Sequence, residues 1–306
     1  MSGALTVKFW GVRGSYPVPG PTTVRFGGNT ACVELRADGH TLILDAGTGI
    51  IGLGRELLMR HKAAGTPVHA TLLFTHMHHD HTQGFPFFTP AYAGATRLDI
   101  FGPGIFERDL ERILSHVLVS PTFPVSLEEM NALKVMRTMR ETKMIMIGAD
   151  VGNVTMHNLF HEPFDQNADS ICVRALHSYA HPSGVLVYRI DWQGKSVVFA
   201  TDVEGYIHID QRLVDFARDA DVLIHDAQYT EEHYQGKRPG FPTTQGWGHS
   251  TPAMACAVAK ECGAKQLVLF HHDPQYDDET LTEMEAEAQQ HFASTLMAYE
   301  GLELVL

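Results

Sequence analysis

Cysteine is scarce in this sequence, and positive charge is in deficit. The 306 residues contain four cysteines, scattered with no CxxC pair, so the sequence offers neither a disulfide framework nor a cysteine zinc site. Lys and Arg together number 23 against 36 Asp and Glu, which gives a formal net charge of −13. Because so acidic a surface repels phosphate backbones and anionic lipids, we expect neither a nucleic-acid partner nor a membrane partner.

Long apolar runs are missing as well. The longest uncharged stretch, 82–96, contains Gly and Pro and is too short to cross a bilayer, and the N-terminus lacks the pattern of a signal peptide. With 44% hydrophobic and 19% charged residues, the composition is that of a soluble globular protein. We therefore expect a cytoplasmic protein that folds as a single domain over residues 1–306, with a homodimer left open.

Short apolar strands alternate with helices, and several of the strands end in His or Asp. One helix is predicted over 50–64 and stops at Gly65, and a second begins after the hydroxyls of 250–251 and stops at Gly263. A third helix is predicted over 280–299. The predicted strands are 5–10, 31–35, 41–44, 68–75, 185–190, 196–200, 221–224, 266–270 and 302–306. Two strand–helix halves around one polar rim predict an α/β fold, an αβ/βα four-layer sandwich.

The segment 121–169 does not follow this pattern. It is rich in methionine, which predicts either a helix that uses Met to fill an irregular core or a flexible substrate cap inserted at about 121–169. His157 and His161 have the i, i+4 spacing of a helical metal pair. Because no Glu lies between them and Phe160 is adjacent, we favour a structural role for both histidines.

A histidine-rich string follows the fourth predicted strand. Its candidate metal ligands fall within six residues: His76, His78, Asp80 and His81. A chance cluster of this density is disfavoured, because imidazoles packed so closely repel one another when protonated. Imidazole and carboxylate without thiolate suit Zn²⁺ best, with Mn²⁺ or Fe as alternatives. We therefore predict that this string binds metal, with His79 facing outward.

The string reads HxHxDH and resembles the signature of the metallo-β-lactamase superfamily. The resemblance extends from about residue 10 to about residue 274. Further motifs occur in the order that the family shows: Asp45 in a strand-loop, Gly102-Pro103, His181 ahead of Tyr188-Arg189, Thr201-Asp202, and His271 at a strand tip. Motif spacing favours His181 over His177, and strand alternation allows only one of His271 and His272 to reach the metals.

The resemblance implies a centre with two divalent ions, zinc first. The ligands of one ion would be His76, His78 and His181. The ligands of the other would be Asp80, His81 and His271, with Asp202 between the two ions. Each ion would keep an open position, as a catalytic site requires.

Two later motifs resemble the branch of the family that contains tRNase Z and cyclic phosphodiesterases. These are residues 246–251 and 225–229. The resemblance implies that His249 meets the scissile phosphate and that Asp226 orients this imidazole, with Asp80 counted among the catalytic residues as well. The alternative for His249 is a loop residue that only helps to start the helix at Pro252.

The function expected from these motifs is a binuclear metal-dependent phosphodiesterase. We expect its substrate to be a small phosphodiester such as a cyclic nucleotide, because the charge of −13 opposes a polyanion and no Lys/Arg-rich arm for tRNA is found in the sequence. Two enzyme alternatives remain, a tRNA 3′-processing endonuclease and a thioester or lactone hydrolase on the same site. A non-catalytic ligand sensor is a third, although a sensor has no need of a leaving-group acid.

Overall fold

Two mixed β-sheets lie face to face in the computed structural model, which describes residues 4–104, 109–148, 150, 152–161, 170–205 and 208–306. The first sheet has the strand order β15-β1-β2-β3-β4-β5-β6. Its strands are β1 (Thr6–Gly11), β2 (Cys32–Ala37), β3 (His40–Leu44), β4 (His69–Leu73), β5 (Arg97–Gly102), β6 (Leu133–Thr138) and β15 (Glu303–Val305). Strands β3 to β6 run parallel, so their carboxyl ends share one edge of the sheet.

The second sheet has the strand order β14-β13-β12-β11-β10-β9-β7-β8. Its strands are β7 (Lys143–Ile147), β8 (Val154–Asn158), β9 (Ile171–Ser178), β10 (Val185–Trp192), β11 (Lys195–Ala200), β12 (Val222–Asp226), β13 (Gln266–Phe270) and β14 (Thr295–Met297). Here β11 to β14 are parallel to one another. Each sheet therefore brings the ends of several parallel strands to a common edge.

Helices cover the outer face of both sheets. The α-helices are α1 (Gly49–Ala64), α2 (His79–Thr82), α3 (Leu110–Ser115), α4 (Gln211–Phe216), α5 (Glu231–Tyr234), α6 (Pro252–Cys262) and α7 (Asp278–His291). Apolar residues of α1 and α3 pack on the first sheet, and those of α4, α6 and α7 pack on the second. A third apolar cluster fills the space between the sheets. This arrangement confirms the predicted four-layer αβ/βα sandwich.

The helix ends follow the signals in the sequence. Helix α1 ends at Gly65 and α6 at Gly263, both in the left-handed conformation at φ 68° and φ 70°. The Thr251 hydroxyl accepts a hydrogen bond from the Met254 amide and so caps the start of α6. No helix among the described residues is long and apolar enough to cross a membrane.

Two stretches that the pattern predicts as helical are partly strand. The described part of 121–169 forms β6, β7 and β8 instead of a helix, and its methionines Met130, Met139, Met144 and Met146 are buried in the core. The helix predicted over 280–299 ends at His291, because residues 295–297 pair with β13 and extend the second sheet. Pairing with strands distant in sequence decides the structure in both places.

Candidate metal centre

The candidate centre lies where the parallel strands of both sheets end. Asp45 follows β3, Asp202 follows β11 and His271 follows β13, and their φ values are 60°, 55° and 67°. Non-glycine residues in this left-handed region cost about 1–3 kcal/mol each and persist where the surrounding structure holds them. The fold thus uses three strained turns to direct three polar side chains into one place.

One nitrogen cluster consists of His76, His78 and His181, whose ligand atoms lie within 4.8 Å of one another. Nε2 of His181 is 3.1 Å from Nδ1 of His78. Nε2 of His76 is buried without a hydrogen-bond partner among the described residues. Three ring nitrogens that converge in this way provide a ready set of donors for one cation.

The second cluster consists of Asp80, His81, Asp202 and His271, again with ligand atoms within 4.8 Å of one another. Nε2 of His81 lies 3.2 Å from Nε2 of His271 and 3.2 Å from Oδ2 of Asp202. The other oxygen of Asp202 lies 3.5 Å from Nε2 of His76 in the first cluster. The Asp202 carboxylate therefore faces both clusters, in the position that the sequence predicts for a bridging ligand.

The protonation states suit metal binding. Burial lowers the pKa of His76 well below its ordinary value and that of His181 to about 4, so both imidazoles are neutral at neutral pH. Burial opposes the charge of Asp80 and Asp202, yet the surrounding histidines hold the pKa of both carboxyls well below the usual range. Among the described residues the ion-pair partners of both carboxylates are all histidines. Burial disfavours the charge of His81 as well, but Asp202, Asp80 and Asp45 outweigh it and raise the pKa of this imidazole well above its ordinary value. A divalent cation bound among these carboxylates would take the place of that proton.

Neighbouring acceptors orient three of the rings. Nδ1 of His81 is 2.7 Å from the Asp45 carboxylate, and Nδ1 of His271 is 2.8 Å from Oε1 of Gln228. Nδ1 of His181 lies 3.3 Å from the Gly248 carbonyl. Since Nδ1–H donates a hydrogen bond to each of these acceptors, each ring in its neutral form presents the lone pair of Nε2 to its cluster. This is the usual arrangement of metal-binding histidines.

His249 lies beside both clusters and is paired with Asp226. Nδ1 of His249 is 2.7 Å from Oδ2 of Asp226, and its ring stacks on that of His271 with centroids 5.0 Å apart. Burial opposes protonation of this imidazole, but Asp226 outweighs it and raises the pKa of His249 to about 9. The cap of α6 is Thr251, so a simple capping role does not account for His249.

The remaining candidate histidines lie outside the clusters. Nε2 of His272 donates to the Ala298 carbonyl, and the ring of His177 packs against Tyr179. His79 is exposed, as predicted. His157 lies in strand β8, so the helical spacing considered for it and His161 does not exist.

Two contributions to the site were missed in the sequence. The glycine-rich loop after β1 contains none of the predicted ligands, but the Ser15 amide donates to Oδ2 of Asp80 at 2.7 Å. In the same loop Gly14 packs so closely on His271 that a Cβ atom would overlap this ring. Glu204 binds the amides of Gly246 and Gly248 ahead of His249. For Glu204 the one signal in the sequence was its position two residues after Asp202.

Comparison with known proteins agrees with this geometry. The profile of the β-lactamase superfamily domain matches residues 40–272. The chain belongs to the metallo-β-lactamase superfamily. Within this superfamily it falls in the tRNase Z-like branch and is a metal-dependent hydrolase.

Two curated relatives are Ribonuclease Z enzymes. The one from Bacillus subtilis is 26% identical over 266 residues, which cover 76% of this chain and 80% of the relative. The one from Gemmatimonas aurantiaca is 26% identical over 326 residues, which cover 99% of this chain and 96% of the relative. The structure of human tRNase Z, short form, shares the fold with a TM-score of 0.61 and 19% identity over 98% of both chains.

These relatives overturn one expectation. The prediction that nucleic acid is not a partner is wrong, because relatives that match 76% and 99% of the chain carry the name Ribonuclease Z. The physical reason is that a net charge of −13 is an average over the whole molecule. A phosphate group that enters a metal centre meets the local field of that centre, which can have the opposite sign.

Proposed function

We propose that this hydrolase is a phosphodiesterase that cleaves nucleotide phosphodiester bonds in RNA, with two divalent ions, zinc first, at the candidate centre. The observation that carries the proposal is the His249–Asp226 pair. A buried imidazole with a raised pKa lies within 4.8 Å of ligand atoms from both clusters. The Ribonuclease Z name of the relatives supports RNA as the substrate class.

The ions and the chain would have separate tasks. Two bound divalent ions would neutralise the phosphoryl oxygens and lower the pKa of a water molecule. His76, His78 and His181 would hold one ion, and Asp80, His81 and His271 the other, with Asp202 between them. In this assignment Asp80, which is also predicted to be catalytic, acts as a ligand kept in place by the Ser15 amide.

His249 would act as the proton donor. Its Nδ1–H donates to Asp226, so Nε2–H is left to donate to a phosphoryl oxygen or to the departing oxygen. Asp226 keeps the ring in this orientation and also accepts hydrogen bonds from the amides of Asp202 and Ser250. It is therefore a positioning residue for both His249 and the bridging carboxylate.

Exposed aromatic rings next to the site support a substrate that carries bases. Tyr16, Tyr179 and Trp247 expose 52%, 78% and 52% of their surface. Each lies within two residues of a group in the site: Ser15, His181 and His249, respectively. Bases stack on such rings with about 1–3 kcal/mol each, independently of sequence. We propose that these rings hold the nucleotides that flank the scissile phosphate.

A small nucleoside phosphodiester is the second candidate. The observation that favours it is that the sequence contains no Lys/Arg-rich arm that could hold a long polyanion. Both candidates use the same ligands and the same proton donor. They differ only in how much of the substrate lies beyond the aromatic rings.

Turnover by metal-loaded protein tests the proposal. The substrate panel contains a tRNA precursor with a 3′ trailer, a cyclic nucleotide, bis(4-nitrophenyl) phosphate, a lactone and a thioester. Cleavage of the precursor with steep salt dependence is the expected result. Turnover of the cyclic nucleotide alone would favour the second candidate. Turnover of the lactone or thioester without any phosphodiester would refute phosphodiesterase function.

A further inference from the structure

A cavity of about 400 Å³ lies between α4, α6 and the ends of β9, β11 and β12, outside the candidate metal centre. Its apolar wall includes Leu213 from α4 and Met254 and Val258 from α6. None of the predicted metal ligands lines it. A cavity of this size accommodates a small organic molecule.

His225 presents an unused acceptor at this cavity. It precedes Asp226 on β12, and successive strand residues point to opposite faces, so the two side chains diverge. Nδ1 of His225 donates to the Asp226 carbonyl at 2.8 Å, which leaves Nε2 as an acceptor. This Nε2 is buried with no hydrogen-bond partner among the described residues, and the side chain lines the cavity. A buried acceptor of this kind costs about 1–3 kcal/mol unless a ligand satisfies it.

Three acidic residues also line the cavity: Glu204, Asp210 and Glu231. Glu204 is 4% exposed and accepts hydrogen bonds from the Tyr234 hydroxyl and the amides of Gly246 and Gly248. No Lys or Arg in the described part of the chain forms an ion pair with Glu204, and none lines the cavity. Glu231 contributes a second carboxylate, which the Thr251 hydroxyl and the Gln235 amide contact. The polar lining therefore combines negative charge with an acceptor.

We propose that this cavity binds a small organic cation, an ammonium group on an apolar body. The ammonium group would donate to Nε2 of His225 and balance the charge of Glu204. Leu213, Met254 and Val258 would cover the apolar body. An anion of the same shape would meet three carboxylates and no donor with positive charge, so the site discriminates by charge.

Calorimetry on the metal-loaded full chain tests this proposal with three probes of similar shape. These are 2-phenylethylamine, neutral 2-phenylethanol and anionic 3-phenylpropionate. We expect one amine to bind per chain, at least tenfold more tightly than the alcohol, with no binding of the acid. Equal binding of the amine and the acid would refute a cation site.

Two variants locate the binding. Leu213→Trp fills the cavity, and His225→Phe removes the acceptor at similar volume. Each should weaken amine binding at least tenfold while metal content stays unchanged. Val24→Trp, at a position 77% exposed, is the control for an added indole and should bind like the parent chain.

Amine binding that survives both variants would place the amine elsewhere, including on the metals, and would overturn the proposal. Should Leu213→Trp fail to fold, His225→Phe decides the matter alone. Leu213 and His225 both lie outside the candidate metal centre. The test therefore measures amine binding and does not depend on a change in phosphodiesterase activity. The result therefore stands independently of the proposed function.

Discussion

At the residue scale, the pairing of His249 with Asp226 separates proton donation from metal binding. The carboxylate lies on Nδ1 and the ring is stacked on His271, so His249 has one orientation and one free N–H. Against the effect of burial, Asp226 raises the pKa of His249 to about 9, so the pairing favours the protonated ring that a proton donor needs. Without Asp226, burial would instead favour the neutral ring, which has no spare proton to give.

His249→Ala should therefore retain both metals and lose activity selectively. The rate on a diester with an alkoxide leaving group should fall by about 10²- to 10⁴-fold, because such a group needs a proton to depart. The rate on bis(4-nitrophenyl) phosphate should fall far less, since nitrophenolate departs unaided. Steady-state rates on both substrates and elemental analysis make the comparison.

His79→Ala provides the matched control, because His79 is exposed in the same histidine-rich part of the fold and should leave both rates unchanged. Equal losses on the two diesters would assign His249 to phosphate binding instead. No loss on either would end its catalytic role.

Asp202 is the residue through which the two clusters meet. Its two oxygens face His76 and His81 in different clusters. Asp202→Ala should therefore lower metal content at both positions, from about two ions per chain toward none. Cys32→Ala, a buried residue outside the clusters, should leave metal content unchanged. Elemental analysis checks both, and active parent protein without any metal would contradict the whole assignment.

At the element scale, two glycines set how closely loops approach the ligand histidines. Gly248, at φ 92°, packs on the ring of His181, and Gly14 packs on the ring of His271, so a Cβ atom at either position would overlap an imidazole. The two loops are more than 200 residues apart in the sequence. Each loop fixes one histidine of a different cluster.

Gly248→Ala and Gly14→Ala should each displace one ligand ring and weaken metal binding. Loss of a positioned ligand contact typically costs about 10- to 100-fold in metal affinity. Competition with a metal-binding dye measures this affinity. Gly94→Ala is the control, because a Cβ atom there meets nothing within 4 Å. Parent-like affinity in both loop variants would show that the loops adjust to the added methyl group.

Asp221 joins three elements of the second sheet. Its carboxylate accepts a hydrogen bond from the Ser196 amide in β11 and pairs with Lys265 ahead of β13 at 2.8 Å. Burial opposes the charge, but these partners prevail and lower the pKa of Asp221. A group whose folded pKa is depressed stabilises the fold above its unfolded pKa and loses this contribution as the pH falls through the folded pKa.

Asp221→Asn should therefore lower the free energy of unfolding by about 1 kcal/mol at pH 7. The difference from the parent should stay constant down to about pH 5 and shrink below that, as the aspartate of the unfolded chain takes up a proton. Urea unfolding across this pH range gives the measurement, with exposed Asp38→Asn as control. A difference that grows toward acid pH would contradict the sign of this pKa shift.

At the scale of the whole molecule, two sheets that meet at a common edge create the centre. Its groups come from positions as distant as 45 and 271, and they meet because parallel strands end on the same side of a sheet. The net charge of −13 belongs to the whole molecule and does not determine the local charge at this centre. This is why the prediction from net charge about nucleic acid was wrong while the prediction of the fold was confirmed.

The sequence by itself determined β1 to β4, β10 to β13 and β15, the caps of α1 and α6, and the string 76–81. These features depend on local spacing and on the conformational preferences of single residues. The tertiary structure alone decided that 133–158 contains strands and that α7 stops at His291, since long-range pairing outweighs local pattern. It also decided that the Ser15 amide binds the Asp80 carboxylate and that the Glu204 carboxylate binds the Gly248 amide. Their amide and carboxylate contacts bridge loops far apart in sequence, and no local spacing records such distances.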